Sequence, residues 1–175
     1  MNDLTGKRVT TKRAAEIAGM GYEGLRTCLK RGLLKHTGML LPFVARGQPA
    51  PDLDAKRWSW KEFGLSDICM CRLAKILMDA GLPFEHASHT ASREDLWQFF
   101  WGNYFLTGSV AIQYLVVSIT ECPSECLYTK DQLISDLNNG VLSVNAGHVL
   151  VDLIAVHEAV MAALSTAPTA EDPAL

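Results

Sequence analysis

The chain has no apolar run approaching the roughly 18 to 20 residues that cross a bilayer, and no charged-then-apolar leader opens it. The expectation is a cytoplasmic protein with no membrane partner. Catalytic signatures are missing too: there is no glycine-rich phosphate loop, no G-x-S-x-G elbow, no H-E-x-x-H and no plausible triad order. Neither an enzyme nor a cofactor is predicted. Cysteine is scarce, five in 175 residues and odd in number, which is no disulfide framework and suits a reducing compartment. The most informative shortage is of positive charge in the second half. Residues 79–175 hold two Lys and Arg against twelve acids, a net of −10, while residues 1–78 hold the other fourteen against seven, a net of +7. The overall charge of −3 conceals this split. A basic half of this kind fits a polyanion partner, and an acidic half fits a part that must avoid one.

What is present in the basic half is organised around Thr10 to Lys35. Thr10 is a good N-cap for a helix over Lys12 to Ala18, which Gly19-Met20-Gly21 stops. A second helix starts near Tyr22 and ends at Gly32, a residue type that tolerates positive φ past a C-terminus. Leu25, Cys28 and Leu29 share its apolar stripe, which puts Glu23, Arg26, Thr27 and Lys30 on an outward face. Two short helices, a glycine-containing turn and a mostly basic outer face describe a helix-turn-helix whose second helix fits a DNA major groove. The following stretch carries two β-capable pieces, Met39 to Val44 and Lys56 to Trp60, around a tip at Gly47 to Asp54. It reads as a two-stranded wing, with an irregular loop as the plainer alternative.

The string AAEIAGMGYEGLR..LKRGLL resembles the N-terminal module of MerR-type and excisionase-like winged-helix proteins, T..EAA..(A/L)GV...TLR.WE..GLL. Matching positions are Thr10, Ala14, Ala15, Gly19, Met20, Leu25, Arg26, Gly32, Leu33 and Leu34. A weaker likeness runs through Arg57-Trp58-Ser59-Trp60 and LSDICMCRLAKILMDAGLPFEHA, covering about residues 8 to 90. Arg13 stands where that family has a capping Glu, Gly24 where it has Ser or Thr, and Thr27-Cys28 where it has an aromatic pair. The resemblance implies double-stranded DNA as partner. Thr10, Thr11 and Lys12 would then touch its backbone. Tyr22, Glu23, Arg26, Thr27, Lys30 and Arg31 would face bases or phosphates from the second helix, and Arg46, Lys56 and Arg57 would reach it from the wing.

Ser66 is predicted to cap a helix over Asp67 to Ala80, apolar on enough sides to be buried between the wing domain and something C-terminal. Glu85 to Glu94 is polar and marks a domain boundary. Ser92 and Asp95 then open an aromatic-dense segment ending near Phe105 that suits a core or a subunit interface. Beyond it, Ala111 to Thr120 reads as a strand, Thr129 and Gln132 as a capping box for a helix to Asn138 stopped by Gly140, Val141 to Asn145 as a strand, and His148 to Leu164 as a helix. That order predicts two parallel strands. The expected class is α+β: a winged helix-turn-helix at 1–84, a small α/β dimerisation or effector domain at 85–165, and a disordered tail at 166–175.

Cys122 and Cys126 could clamp a thiophilic metal, yet one pair with three residues between is not a zinc knuckle, and incidental thiols are the preferred reading. His86 and His89 read as a linker pair and His157 as an interior histidine. No metal is predicted. The reading is a sequence-specific bacterial or prophage transcriptional regulator binding DNA as a homodimer, with a small-molecule or protein effector left open. The alternative is that the helix-turn-helix serves as a protein-interaction module and the C-terminal half does the work, binding a partner or ligand.

Overall fold

A computed structural model describes residues 7–34, 62–100, 112–119, 124–142 and 147–166. The fold is mixed α+β: seven helices and a three-stranded antiparallel sheet among the described residues. The predicted wing, the aromatic run past Phe100, Cys122 and the tail from 167 lie outside those residues.

Helix α1 (Thr11–Ala18) starts as its sequence dictates. Thr10 has extended backbone and its hydroxyl accepts from the Arg13 amide, satisfying one of the orphan donors of the first turn. Gly19 closes the helix at φ 75°, its amide donating to Glu16 and that of Met20 to Ala15. Ala14, Ala15, Ile17 and Ala18 are buried. After Gly19-Met20-Gly21, helix α2 (Tyr22–Lys30) buries Leu25 fully and Cys28 and Leu29 in part. Gly32 turns the chain at φ 103°, and Leu33 and Leu34 then plunge into the core. The chain re-enters at Phe63, which exchanges two backbone hydrogen bonds with Val9, at 3.0 and 2.8 Å.

Helix α3 (Leu65–Asp79) is the central element, with nine buried residues. Its cap is Gly64 and not Ser66, which is itself buried in the first turn. The reason lies in the Val9–Phe63 bridge, which brings the chain to its turn at Gly64, where the Asp67 carboxylate accepts from the Gly64 amide at 2.9 Å. Burial raises the Asp67 carboxyl, and the Gly64 amide and Arg8 oppose the rise. Arg72 donates to the Ile17 carbonyl at 2.9 Å, satisfying one of the carbonyls that the last turn of α1 leaves open.

The polar stretch predicted as a linker is helix α4 (Phe84–Ala91). Ala87, Thr90 and Ala91 are its buried residues and face α3. Small side chains permit close helix packing without producing a strong apolar stripe, which is why the pattern was illegible. Helix α5 (Glu94–Gln98) follows with Arg93 at its N-cap in place of the expected Ser92, because Asp95 turns back to the Arg93 guanidinium. Leu96, Trp97 and Phe100 are buried, and the Phe99 and Phe100 rings meet edge to face at 5.3 Å.

Strand β1 (Tyr114–Ser118) falls inside the strand predicted at 111–120. Its neighbours are β2 (Glu125–Tyr128) and β3 (His148–Asp152), in the order β2-β1-β3, both antiparallel. The predicted parallel pairing is therefore wrong. Val141 and Leu142 are not strand, and the second partner comes from the start of the segment predicted as helix. In His-Val-Leu-Val-Asp the β-branched residues alternate with the others, so Val149 and Val151 turn inward opposite Val117 and Leu115. Asp152 then accepts from the amides of Ile154 and Ala155 and caps helix α7 (Leu153–Ser165). Helix α6 (Lys130–Asn138) has the predicted reciprocal cap: Gln132 amide to Thr129 hydroxyl at 3.2 Å, Thr129 amide to Gln132 side chain at 3.1 Å, and Gly140 at φ 69° beyond its end.

Helix α7 buries Leu153, Val156, His157, Val160 and Leu164 and lies against both α1 and α3. One cluster of buried residues thus runs from Val9 to Leu164. The apolar breadth of α3 follows from its packing against α1, α4 and α7. The boundary predicted between 84 and 85 falls in the first turn of α4.

Candidate nucleic-acid interface

Helix α2 is attached to the core along one narrow side. At about 100° per residue, Tyr22, Glu23, Arg26, Thr27 and Lys30 span about 140° of its circumference, and all five are exposed. Opposite them, Leu25, Cys28 and Leu29 anchor the helix. Five of the predicted contact residues are therefore brought together on one surface.

Their local chemistry is specific. The Arg26 guanidinium pairs with the Glu23 carboxylate at 3.0 Å and lies over the Tyr22 ring, 5.5 Å from its centroid. The Thr27 hydroxyl donates to the Glu23 carbonyl at 2.8 Å, so it offers the outside an acceptor and a methyl group. Lys30 has no ion pair among the described residues. The face thus presents two cations, one anion and one acceptor. Nothing lies within 4 Å of where a Cβ on Gly24 would sit, so that glycine is not required by packing in this chain.

At the start of α1, Thr10 and Lys12 are exposed and Thr11 is half-buried. Because Thr10 acts as acceptor in its cap, its hydroxyl proton stays available to an outside acceptor. Arg13, at the position where a capping carboxylate would reach back, pairs instead with Glu16 at 2.9 Å.

Arg31 departs from the predicted set. Its guanidinium sits 4.0 Å over the Phe84 ring and donates to Glu85 at 2.6 Å, tying the end of α2 to the first turn of α4. The Glu85 carboxyl is held below its usual range by its own backbone amide first and by Arg31 second. Phe84 and Glu85 were missed as partners of α2 because the segment reads as a linker. Pro83 ahead of an acid-bearing first turn is the signal that marks the helix. Arg46, Lys56 and Arg57 lie outside the described residues.

Not all of the basic excess is available to a ligand. Arg72 is spent on the Ile17 carbonyl, Lys75 on Asp79 and Arg31 on Glu85. Burial pushes the Cys28, Cys69 and Cys71 thiols up from their ordinary value, which makes them poor nucleophiles and poor metal ligands. No cluster of three or more metal-binding side chains occurs among the described residues. Nor is any helix long and apolar enough to cross a membrane there. Compared with protein-family models and with curated proteins, the chain matches none.

Proposed function

We propose that this chain is a sequence-specific DNA-binding transcriptional regulator of bacterial or prophage type, with a MerR-like winged helix-turn-helix in its basic half. The observation that carries the reading is the outer face of α2. A nine-residue helix follows a short helix and a glycine turn, and it turns Tyr22, Glu23, Arg26, Thr27 and Lys30 outward together. A helix of this width enters the major groove, where guanidinium and ammonium groups donate to guanine and carboxylates accept from cytosine. Thr10, Thr11 and Lys12 supply backbone contacts, and Arg46, Lys56 and Arg57 supply them from the wing. One short helix makes few contacts, so two copies act together, joined through the acidic half. The exposed Ile134, Leu137 and Val141 of α6 and the turn after it are apolar surface in that half.

The test is a selection from genomic duplex fragments by the full chain, with and without Arg26→Ala. A recovered sequence whose binding weakens with the substitution supports the reading, and equal weakening on every duplex reduces Arg26 to a phosphate contact. A second reading has its own observation. Glu23 and Glu85 neutralise Arg26 and Arg31 beside an exposed Tyr22 and a half-buried Phe84, a surface suited to a protein partner. Absence of any duplex binding at low salt favours that alternative.

A further inference from the structure

On the reading that α2 enters a major groove, we infer that Glu23 and Arg26 act as one unit that reads a G·C pair, with Glu23 setting specificity through the cytosine amino group. The two side chains stand three residues apart on the same face and are paired at 3.0 Å. Their side chains remain 75% and 44% exposed respectively, so a duplex can reach both.

Charge argues that Glu23 is costly at this interface unless it reads a donor. A carboxylate accepts and cannot donate. Every phosphate oxygen repels it, as do guanine N7 and O6, adenine N7 and thymine O4. The only major-groove groups that satisfy it are the exocyclic amines of cytosine and adenine. Its neighbour decides between them. Arg26 offers two parallel donors, and across a G·C pair the groove presents two acceptors followed by one donor. Donor, donor, acceptor from Arg26 and Glu23 is the complement of that order. Across an A·T pair the donor lies between two acceptors, so a guanidinium in the same position meets only one acceptor beside the adenine amine.

The surroundings hold this unit in place. The Tyr22 ring lies under the guanidinium, and Thr27 donates to the backbone carbonyl of Glu23 itself. With its proton used there, Thr27 cannot substitute as a donor to guanine from this rotamer. In the absence of DNA the Glu23 carboxylate accepts from Arg26 Nη1, so a duplex with the wrong base pair that draws the two apart must break this ion pair without replacing it. Glu23 therefore penalises indiscriminate binding as well as rewarding the correct base.

The experiment is selection from a randomised duplex pool by the full chain and by its Glu23→Gln and Arg26→Ala variants, with circular dichroism of each confirming the helical fold. The expected result is a G·C position in the wild-type consensus. Both variants relax the preference there or at the adjacent pair by about tenfold, and Glu23→Gln binds random duplex more tightly than wild type. Wild-type preference retained at every position by folded Glu23→Gln and Glu23→Ala alike overturns the inference while leaving the regulator reading intact, as does relaxation centred on an A·T pair. Glutamine keeps an acceptor oxygen, so Glu23→Ala is run beside it. Unchanged preference in both variants assigns Glu23 to helix stabilisation alone. A wild-type chain that enriches no sequence overturns the reading and the inference together.

Discussion

Helices α2 and α3 both come from the basic half and both carry arginine, yet they use it in opposite ways. In α3 the polar groups are spent internally: Arg72 closes α1, Lys75 pairs with Asp79, and Cys69 and Cys71 are sealed in the core. In α2 one residue, Leu25, is fully buried and five polar or aromatic side chains face outward. The charge split between halves singles out a stretch of sequence but no surface. A cation tied to another element, as Arg72 is to α1 and Arg31 to α4, is held by the fold, whereas Arg26 pairs only within the exposed face of its own helix.

That contrast can be broken most severely at α3. Leu73 is fully enclosed, and Leu73→Ala should lower stability by about 2 to 5 kcal/mol, read as a shift in denaturant midpoint. Loss below about 1 kcal/mol would mean that α3 is not the centre of the core. Next in size is the comparison of the two arginines. Arg72→Met should cost about 1 to 3 kcal/mol of folding stability by stranding the Ile17 carbonyl while the folded protein keeps its DNA affinity. Arg26→Ala should leave the denaturant midpoint almost unchanged and weaken specific binding by about 1 to 3 kcal/mol. Should the two variants show the same pattern, the distinction between structural and ligand-facing cations fails.

A smaller effect is linked to pH. His157 is 4% exposed, and burial lowers its pKa from the ordinary 6.5, with Glu158 opposing. The unfolded chain then takes up a proton near pH 6.5 that the folded chain resists, so stability is full above that pH and declines as pH falls through 6.5 toward the lowered folded value. Melting temperatures of His157→Gln should be flatter than wild type across pH 7 to 5. A parallel decline in both proteins removes His157 from the acid response.

The smallest expected change is at Gly24. A glycine inside a helix costs roughly 0.5 to 1 kcal/mol relative to alanine, and open space surrounds the position. Gly24→Ala should therefore raise stability by about that amount in thermal melts. Loss of stability would show that the position is not open.

Sequence legibility followed how local the determining interaction is. The Thr10 and Thr129 caps, the Gly19 and Gly140 stops and the apolar stripe of α2 are set within four residues, and each is visible in the string. The outward face of α2 follows from that stripe, so the set Glu23, Arg26, Thr27 and Lys30 was readable. Arg31 was not, because its position depends on Phe84 and Glu85, more than fifty residues away. The same limit hid α4, whose small-residue face has meaning only against α3, and β3, whose strand character comes from pairing with β1. Asp152 was the local signal overlooked: an N-cap placed there begins the last helix at Leu153 and frees the residues before it for the sheet.

Because α7 shares the core of α1 and α3, cutting the chain after α4 would expose that core, and the decisive measurement belongs on the full protein. It is the salt dependence of duplex binding, on random DNA and on a selected genomic fragment. The account predicts measurable binding at about 50 mM salt, a steep linear fall of log K with log salt as counterions are released, and a preference for the selected fragment that persists along the titration. No binding at low salt, or affinity that salt does not alter, contradicts it and turns the α2 face over to a protein partner.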